Sequence, residues 1–505
     1  MLLSELYKGQ PDIEITSLVL DSRKAIKGSL FFCVDGYETD GHRFACKAVD
    51  NGAVAVVHTK DIEKRPGVAY IKVADINAEL NRTADLFYGH PSRKMTMFGA
   101  TGTNGKSTLT SVIRDVYGHK EPCGYMGTIA VKYGDTTLIP SLTTPDQIET
   151  NQHLADMVRA GMKACAMEIS SQGLDRHRVD IIDYDCVIFT NLTHDHLDYH
   201  KTMENYFNAK KRLFTMVKPS AVAVLNADDI ATYDRLKKAC ACRTVSYGTD
   251  RGQSLIDENG NPVEGSHSPV KSPETVDYFA KDITLGTSGT DFILCYKGKE
   301  YPVHTNLVAL YNVYNLLGAV AAMNECGMPI EDQIPYLTHI PQVEGRAEKV
   351  DMGQDFTVLV DYAHTPDGYT KILDYAKEAA GNGGRILAVF GCPGKRDHVK
   401  RPVMGRIAAE YADRIFLTLQ DPRGEDPEQI ASEIAKGIRP VGTPYEFVPD
   451  RAEAIRKAVF TAQKGDVVVM MGKGNESYLY YEEGRRPWMT DKVAAEKALR
   501  ERLGK

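Results

Sequence analysis

The sequence predicts an α/β protein of three domains, with a phosphate-binding loop on the parallel sheet of the middle one. Three observations carry that reading. The first is Gly99-Ala-Thr-Gly-Thr-Asn-Gly-Lys-Ser-Thr108, set between the apolar run Met95–Phe98 and the helical pattern Leu109–Tyr117. Strand, glycine-rich turn and helix start, in that order, present free N–H groups that cradle phosphate oxygens. The second is size: 505 residues, 43% hydrophobic and 26% charged, is an ordinary globular composition spread over about three domains. The third is the alternation of apolar, strand-length runs with helical patterns, the mark of parallel sheets covered by helices.

In chain order, residues 1–93 hold short strands at Ser17–Leu20, Leu30–Val34, Ala53–Val57 and Ala69–Val73, after a short amphipathic helix at Met1–Lys8. Pro91-Ser-Arg-Lys94 reads as a linker. Residues 94–341 form the middle unit. Its strands are the run before the glycine-rich turn, Ala164–Ile169, Cys186–Thr190 and Ala221–Leu225, and the polar stretch Gly252–Glu274 is a surface excursion. Residues 342–505 form the third unit, a Rossmann-like doubly wound pattern with strands at Phe356–Tyr362, Arg385–Phe390, Arg414–Leu419 and Asp466–Met471.

In the turn itself, Gly102, Thr103, Asn104, Gly105, Lys106, Ser107 and Thr108 match G-x-x-G-K-[ST]. Lys106 reaches the terminal phosphates of a nucleotide, and the Ser107 hydroxyl binds Mg²⁺. The longer form of the motif wants glycine where Ala100 stands.

Open parallel sheets bind ligands beyond the carboxyl ends of their strands, and unusual clusters fall at those ends. Glu168 lies in the apolar run Ala166-Met-Glu-Ile, followed by Ser170 and by Arg176 and Arg178. A carboxylate there must pair or bind a cation, unless it faces outward at the strand end. After Cys186–Thr190 comes Asn191-Leu-Thr-His-Asp-His-Leu-Asp-Tyr-His200. That loop reads as a metal or phosphate site, as an off-by-one zinc motif through His194, His196 and Asp198, or as solvated histidines. Asn312 and Asn315 precede the helix Leu316–Asn324, where they either hydrogen-bond a base or cap the helix. In the third unit Arg396, Asp421-Pro-Arg423 and Gly472-Lys-Gly-Asn-Glu476 follow three strands and converge on one sheet edge. Two arginines and a glutamate suit an amino acid with an extra carboxylate.

Net charge is −7 without a long basic run, which argues against a general nucleic-acid binder. No apolar stretch reaches the length of a membrane span, and no signal-peptide core is present. Ten scattered cysteines read as reduced thiols of a cytoplasmic protein.

Taken together, Gly102-Thr-Asn-Gly-Lys-Ser, Met167-Glu-Ile-Ser-Ser, Asn191-Leu-Thr-x-Asp-His-Leu-Asp-Tyr-His, Val224-Leu-Asn-Ala-Asp-Asp, Gly345-Arg346, Asp361-Tyr-Ala-His-Thr-Pro-Asp and Lys400-Arg-Pro-Val-Met-Gly stand in the order seen in Mur ligases. The chain resembles that family over nearly its whole length. The resemblance implies the three-domain Mur ligase architecture and an ATP- and Mg²⁺-dependent ligase of peptidoglycan synthesis. The expected reaction adds the third amino acid to UDP-N-acetylmuramoyl-L-alanyl-D-glutamate through an acyl phosphate. By matching position, Asp21-Ser22-Arg23 would hold the uridine diphosphate, and Thr143, Thr144, Ser170, Arg176 and Arg178 the muramoyl dipeptide. Glu168 and His196 would bind Mg²⁺ alongside Ser107. Lys210 matches a lysine that the family carbamoylates into an anionic metal ligand; its bland reading is a surface lysine. Asn312, Asn315, Arg346 and Asp361 would contact ATP. Arg396, Asp421, Arg423, Gly472 and Glu476 would bind the amino acid.

Three departures stand out. The motif D-N-P-R for meso-diaminopimelate is here Gln420-Asp421-Pro422-Arg423, G-K-G-H-E has Asn475 for its histidine, and Ala309 stands where glycine is usual. Arg423 favours meso-diaminopimelate, while the added charge of Asp421 favours lysine. Three further readings stay open: a zinc hydrolase built on His194–His200, a nucleotide-binding homologue without turnover, and a folate-type polyglutamate ligase. A monomer is expected.

Overall fold

The structure is a computed structural model, and it describes all residues except 37–38, 255–256, 258–265, 270 and 287. The polar excursion expected at 252–274 lies in part outside the described residues. Three sheets organise the chain, with a small separate hairpin at Tyr478–Tyr481 and Gly484–Pro487. The first sheet has four parallel strands, Ser17–Val19, Ser29–Phe32, Ala53–His58 and Ala69–Lys72, side by side in chain order. The short N-terminal helix is confined to Leu3–Leu6.

The middle sheet has eleven strands. Its parallel centre runs Arg243–Thr249, Val222–Asn226, Cys186–Phe189, Thr96–Thr101, Ala164–Glu168, Cys123–Met126. Antiparallel ribbons extend both edges. The loop-bearing strand Thr96–Thr101 therefore lies between the strands that end at Phe189 and Glu168. The ends of its two neighbours flank the glycine-rich turn, which is why motifs far apart in sequence meet there.

The third sheet has six strands, in the order Glu348–Lys349, Thr357–Asp361, Val467–Met471, Ile386–Phe390, Arg414–Leu417, Tyr445–Phe447. All pairs are parallel except the first. Every residue of Val467-Val-Val-Met-Met471 is buried, as an unbroken apolar run in the centre of a doubly covered sheet must be. The main strands sit where the sequence places them with ends shifted by a residue or two, except that the strand read at Met95–Phe98 continues three residues further, to Thr101. Among the described residues all ten cysteines are unpaired, and no helix is long and apolar enough to cross a membrane.

One helix start differs from expectation. The helix expected from Leu316 begins at Leu310, so Asn312 and Asn315 lie inside it and neither caps it. Its N-cap is Ala309, at φ 72° and ψ 147°. That region is nearly reserved for glycine and costs an alanine about 1–3 kcal/mol.

A buried ion pair fixes the carboxyl edge of the third sheet. Arg451 and Asp491 are 1% and 0% exposed in their side chains. The Arg451 Nε donates to Asp491 Oδ1 at 2.7 Å, and its Nη atoms donate to the carbonyls of Leu419 (3.1 Å) and Met471 (3.0 Å). Two strand ends that carry candidate amino-acid residues are thus tied to the first turn of helix Asp491–Leu503. Asp491→Ala leaves a buried cation alone and is expected to destabilise this domain by about 3–5 kcal/mol. Differential scanning calorimetry checks this: the domain's midpoint should fall by about 10 °C, and a fall under about 3 °C would contradict the pairing.

Candidate functional site

The site is built around the turn that closes strand Thr96–Thr101. Gly102 and Gly105 take φ 151° and 90°. A Cβ on Gly102 would lie 1.8 Å from Thr190 Oγ1, and one on Gly105 would lie 2.3 Å from Asn315 Oδ1. Both positions therefore require glycine, and the neighbouring elements set that requirement. The turn is pinned by the next strand end: Thr103 N donates to Asn191 O (2.8 Å), Asn104 N to Asn191 Oδ1 (3.0 Å), and Thr190 Oγ1 to Asn104 O (2.6 Å). Gly105 leads into helix Lys106–Tyr117, whose first N–H groups form an anion-binding cradle. Lys106 Nζ donates to the carbonyls of Gly102 (2.9 Å) and Thr103 (2.8 Å). Burial lowers its pKa, against the pull of Glu168 and Asp195.

Glu168 ends the strand beside the turn and is fully buried, so the outward-facing reading fails. Its carboxylate accepts from Tyr125 Oη and from the N and Oγ1 of Thr128, both at 3.0 Å. His196 opens the short helix Leu197–His200 at φ 54°. The neighbouring Asp195 favours its imidazolium, but desolvation at the cavity wall and the positive fields of His364, Lys210 and Lys106 lower its pKa to about 4, although its side chain keeps 44% exposure. A neutral imidazole has a lone pair for a cation. Lys210, on helix Met203–Met216, is 1% exposed and donates to Gly102 O at 2.7 Å. The surface reading of this lysine is therefore wrong. Burial, followed by the charge of Lys106, holds its pKa well below the usual lysine value.

The third domain supplies the opposite wall. Arg346 donates from Nη2 to Ser107 Oγ at 3.0 Å, its guanidinium 4.5 Å from the Tyr362 ring. Asp361 accepts from the N–H groups of Ala347 and Ala363, both at 2.7 Å, and burial raises its pKa. Asn104 Nδ2 donates to Asp367 Oδ2 at 2.7 Å. Asn315 Nδ2 donates to Asn312 Oδ1 at 3.0 Å, and Asn312 Nδ2 to Val308 O at 2.7 Å. Thr103, Asn104, Gly105, Lys106, Ser107, Thr108, Glu168, His196, Asn315, Arg346 and Asp361 all line one cavity. Gly102 underlies it through its carbonyl.

The residues expected to hold the muramoyl dipeptide cluster beside Glu168. Thr144 Oγ1 donates to Glu168 O (3.1 Å) and accepts from Ser170 N (2.9 Å); Arg178 Nη1 donates to Thr144 O (2.9 Å). Thr143 Oγ1 lies 3.1 Å from Thr128 Oγ1, and Arg176 reaches the Tyr199 hydroxyl at 3.3 Å. Ser22 is not among the residues that line the cavity. It sits in a 3₁₀ turn on the first sheet, where its carbonyl accepts from Asn51 Nδ2.

At the edge of the third sheet, Arg423 and Glu476 are linked through buried groups. Lys473 Nζ donates to Asp421 Oδ1 at 3.0 Å and to Glu476. The Asp421 carboxylate, buried and engaged by Lys473 and the Tyr480 N–H, is thus closed to a substrate ammonium, contrary to expectation. Gly472, at φ 102°, packs against the Gln420 amide. Arg396 faces the middle domain and meets Asp198 at 3.3 Å, so the two arginines share the sheet edge but not a partner. The zinc reading fails as well. His194 pairs with Asp397 at 3.3 Å, Asp198 with Arg396, and only His196 enters the cavity. Among the described residues the groups compact enough for a metal are Asp35, Asp40, His42 and His398, Glu425, Glu433. Lys60 bridges the first carboxylates and Arg401 the second.

Sequence reasoning missed Tyr125, on the adjoining strand Cys123–Met126, and Thr128, just beyond its end, which hold Glu168 and carry no spacing signal. It also gave no role to Asp195, Tyr362, Asp367 or Lys473, although all but Tyr125 and Thr128 lie within motifs already singled out.

Comparison with known proteins covers the whole site. Three family models match: "Mur ligase family, catalytic domain" over residues 14–89, "Mur ligase middle domain" over 100–323, and "Mur ligase, glutamate ligase domain" over 345–474. A Clostridium acetobutylicum protein named UDP-N-acetylmuramoyl-L-alanyl-D-glutamate–2,6-diaminopimelate ligase 1 is 40% identical over 479 residues, 94% of this chain and 92% of its own length. A Listeria monocytogenes protein named as the same type of ligase is 36% identical over 100% of both chains. A solved structure of a ligase with that name, 29% identical, matches with TM-score 0.66 over 100% of this chain and 99% of its own. A crystal structure of MurF from Acinetobacter baumannii, 18% identical, shares the fold with TM-score 0.65 over 98% and 95%.

Proposed function

The chain belongs to the Mur ligase family, and from that premise we infer that it is an ADP-forming ligase joining meso-2,6-diaminopimelate to UDP-N-acetylmuramoyl-L-alanyl-D-glutamate. The relatives so named match it over nearly its full length. The observation that carries the reading is the single cavity in which the glycine turn, Glu168, His196 and the Arg346–Asp361 wall meet. ATP and Mg²⁺ are the cofactors. The three sheets correspond to a UDP-sugar domain at 1–93, an ATP domain at 94–341 and an amino-acid domain at 342–505. The product is a cytoplasmic precursor of peptidoglycan, and the enzyme acts as a monomer.

ATP transfers its γ-phosphoryl group to the γ-carboxylate of D-glutamate, giving ADP and an acyl phosphate; the incoming amine then attacks that carbonyl and expels inorganic phosphate. Two anions must first approach each other. The turn N–H groups, Lys106 and Arg346 hold positive potential where the phosphate chain enters. Glu168 and Ser107 fit Mg²⁺, a buried carboxylate and a hydroxyl at a helix start being hard oxygen donors, and the His196 imidazole would add a softer nitrogen beside them. Bound there, Mg²⁺ would neutralise charge on the phosphates. Thr144, Ser170, Arg176 and Arg178 hold the carboxylate substrate beside that centre. Asn312, Asn315 and Asp361 orient the nucleotide.

The amino-acid end favours diaminopimelate. Arg423 provides a guanidinium for the distal carboxylate that lysine lacks, and the buried Asp421 carboxylate is already engaged by Lys473 and the Tyr480 N–H. A site built to pair a carboxylate rejects the analogue without it. The test compares kcat/KM for meso-diaminopimelate and lysine in wild type and Arg423→Ala. Wild type should prefer diaminopimelate by about 10²-fold or more, and the variant should lose most of that preference. A wild type that prefers lysine would overturn the amino-acid assignment while leaving the ligase assignment intact.

A further inference from the structure

The hairpin Tyr478–Tyr481/Gly484–Pro487 forms a sheet of its own and lies directly on the turn that carries Arg423. Two hydrogen bonds clamp the two together: Arg423 N donates to Tyr480 O at 3.0 Å, and Tyr480 N donates to the Asp421 side-chain Oδ1 at 3.0 Å. A Cβ on Gly424 would lie 2.9 Å from Glu482 Cβ, so the hairpin leaves the turn no room to move toward it. Arg423 itself takes φ 51°, an uncommon conformation for a side-chain-bearing residue, held here by both strands of contact.

Beyond the backbone, the Arg423 guanidinium has few fixed partners. It lies 4.2 Å from the Tyr480 ring centroid. Asp421 is 3.7 Å away, but Lys473 and the Tyr480 N–H already engage that carboxylate. Among the described residues the buried Arg423 Nε meets no hydrogen-bond acceptor. The ring is therefore the main element that sets the plane of the fork. Tyr480 is held in turn: Arg485 Nε donates to its hydroxyl at 2.8 Å, with that guanidinium 5.1 Å from the same ring.

We propose that Tyr480 is a positioning residue for substrate selection: its ring aligns the Arg423 guanidinium to receive the distal carboxylate of the amino-acid substrate. This rests on the diaminopimelate reading above and adds to it the residue that keeps Arg423 in register. Bidentate pairing of a guanidinium with a carboxylate depends on coplanarity. A face-on aromatic ring supplies that plane and reduces the side-chain ordering left for binding.

The test measures kcat and KM for meso-diaminopimelate, lysine, ATP and UDP-muramoyl dipeptide in wild type, Tyr480→Ile and Tyr480→Phe. Isoleucine keeps strand propensity and apolar cover but has no ring face. Tyr480→Ile should raise KM for diaminopimelate about tenfold, the size of one desolvated cation–π contact. Its kcat, its KM for ATP and dipeptide, and its lysine kinetics should stay at wild-type values. Tyr480→Phe, which loses only the Arg485 bond, should behave as wild type. Thermal unfolding of both variants, run in parallel, verifies the fold. If Tyr480→Ile keeps the full preference, or loses activity with all substrates alike, the positioning role is wrong although the ligase reading stands. A wild type with no preference for diaminopimelate would overturn the amino-acid reading itself.

Discussion

Lys106→Ala is expected to lower ligation by about 10²–10³-fold or more, the loss typical of one preorganised charge at a developing anion. Lys106 is half-buried at the head of the cavity and held by two turn carbonyls. Arg346, which reaches Ser107 from the other domain, does not replace it, because it enters from the opposite wall. The alanine variant removes a desolvated cation, so folding should not suffer and the effect should appear in turnover. Steady-state phosphate release, with circular dichroism as the folding control, checks the result. More than about a tenth of wild-type turnover would remove Lys106 from the phosphate site.

Lys210→Ala is expected to be comparably severe. The lysine is enclosed by the Tyr206 ring, 4.6 Å from its Nζ, and by the Gly102 carbonyl. Burial favours the neutral amine, and only a neutral amine adds CO₂ to give a carbamate and a proton. A carbamate at this place would set an anion beside Lys106, able to pair with it and with Mg²⁺. Bicarbonate should not restore the alanine variant, which has no amine. A short carboxylic acid such as formate should restore part of its activity by standing in for the missing anion. A fully active Lys210→Ala enzyme would show that the residue has no part in the chemistry.

Local features were legible in the sequence. The glycine turn is one continuous segment, and its strand and helix follow from apolar spacing alone. The parallel strands read as buried runs because both their faces are covered. What escaped depends on partners distant in the chain. Tyr125 and Thr128 hold Glu168 from 43 and 40 residues away, across a strand pairing that no local pattern encodes. Asp198 meets Arg396 across 198 residues, so neither residue's partner was visible in its own motif. The charge of Asp421 read as available because Lys473, which engages it, lies on another loop. The helix start at Leu310 was missed because it takes an alanine at φ 72°, where composition gave no stop or cap. The histidine-rich loop looked like a zinc site because spacing carries no direction: three neighbouring side chains leave the backbone toward three different partners.

The central claim is that the glycine turn, the buried carboxylate and the third-domain arginines act together on one reaction. Phosphate release measures it most directly, with ATP and Mg²⁺ present and the second and third substrates supplied separately and together. Release should require UDP-N-acetylmuramoyl-L-alanyl-D-glutamate and an amino acid at once, and across an amino-acid panel it should be fastest with meso-diaminopimelate. Phosphate release indifferent to the muramoyl dipeptide, or no release with any amino acid while ATP still binds, would contradict the account.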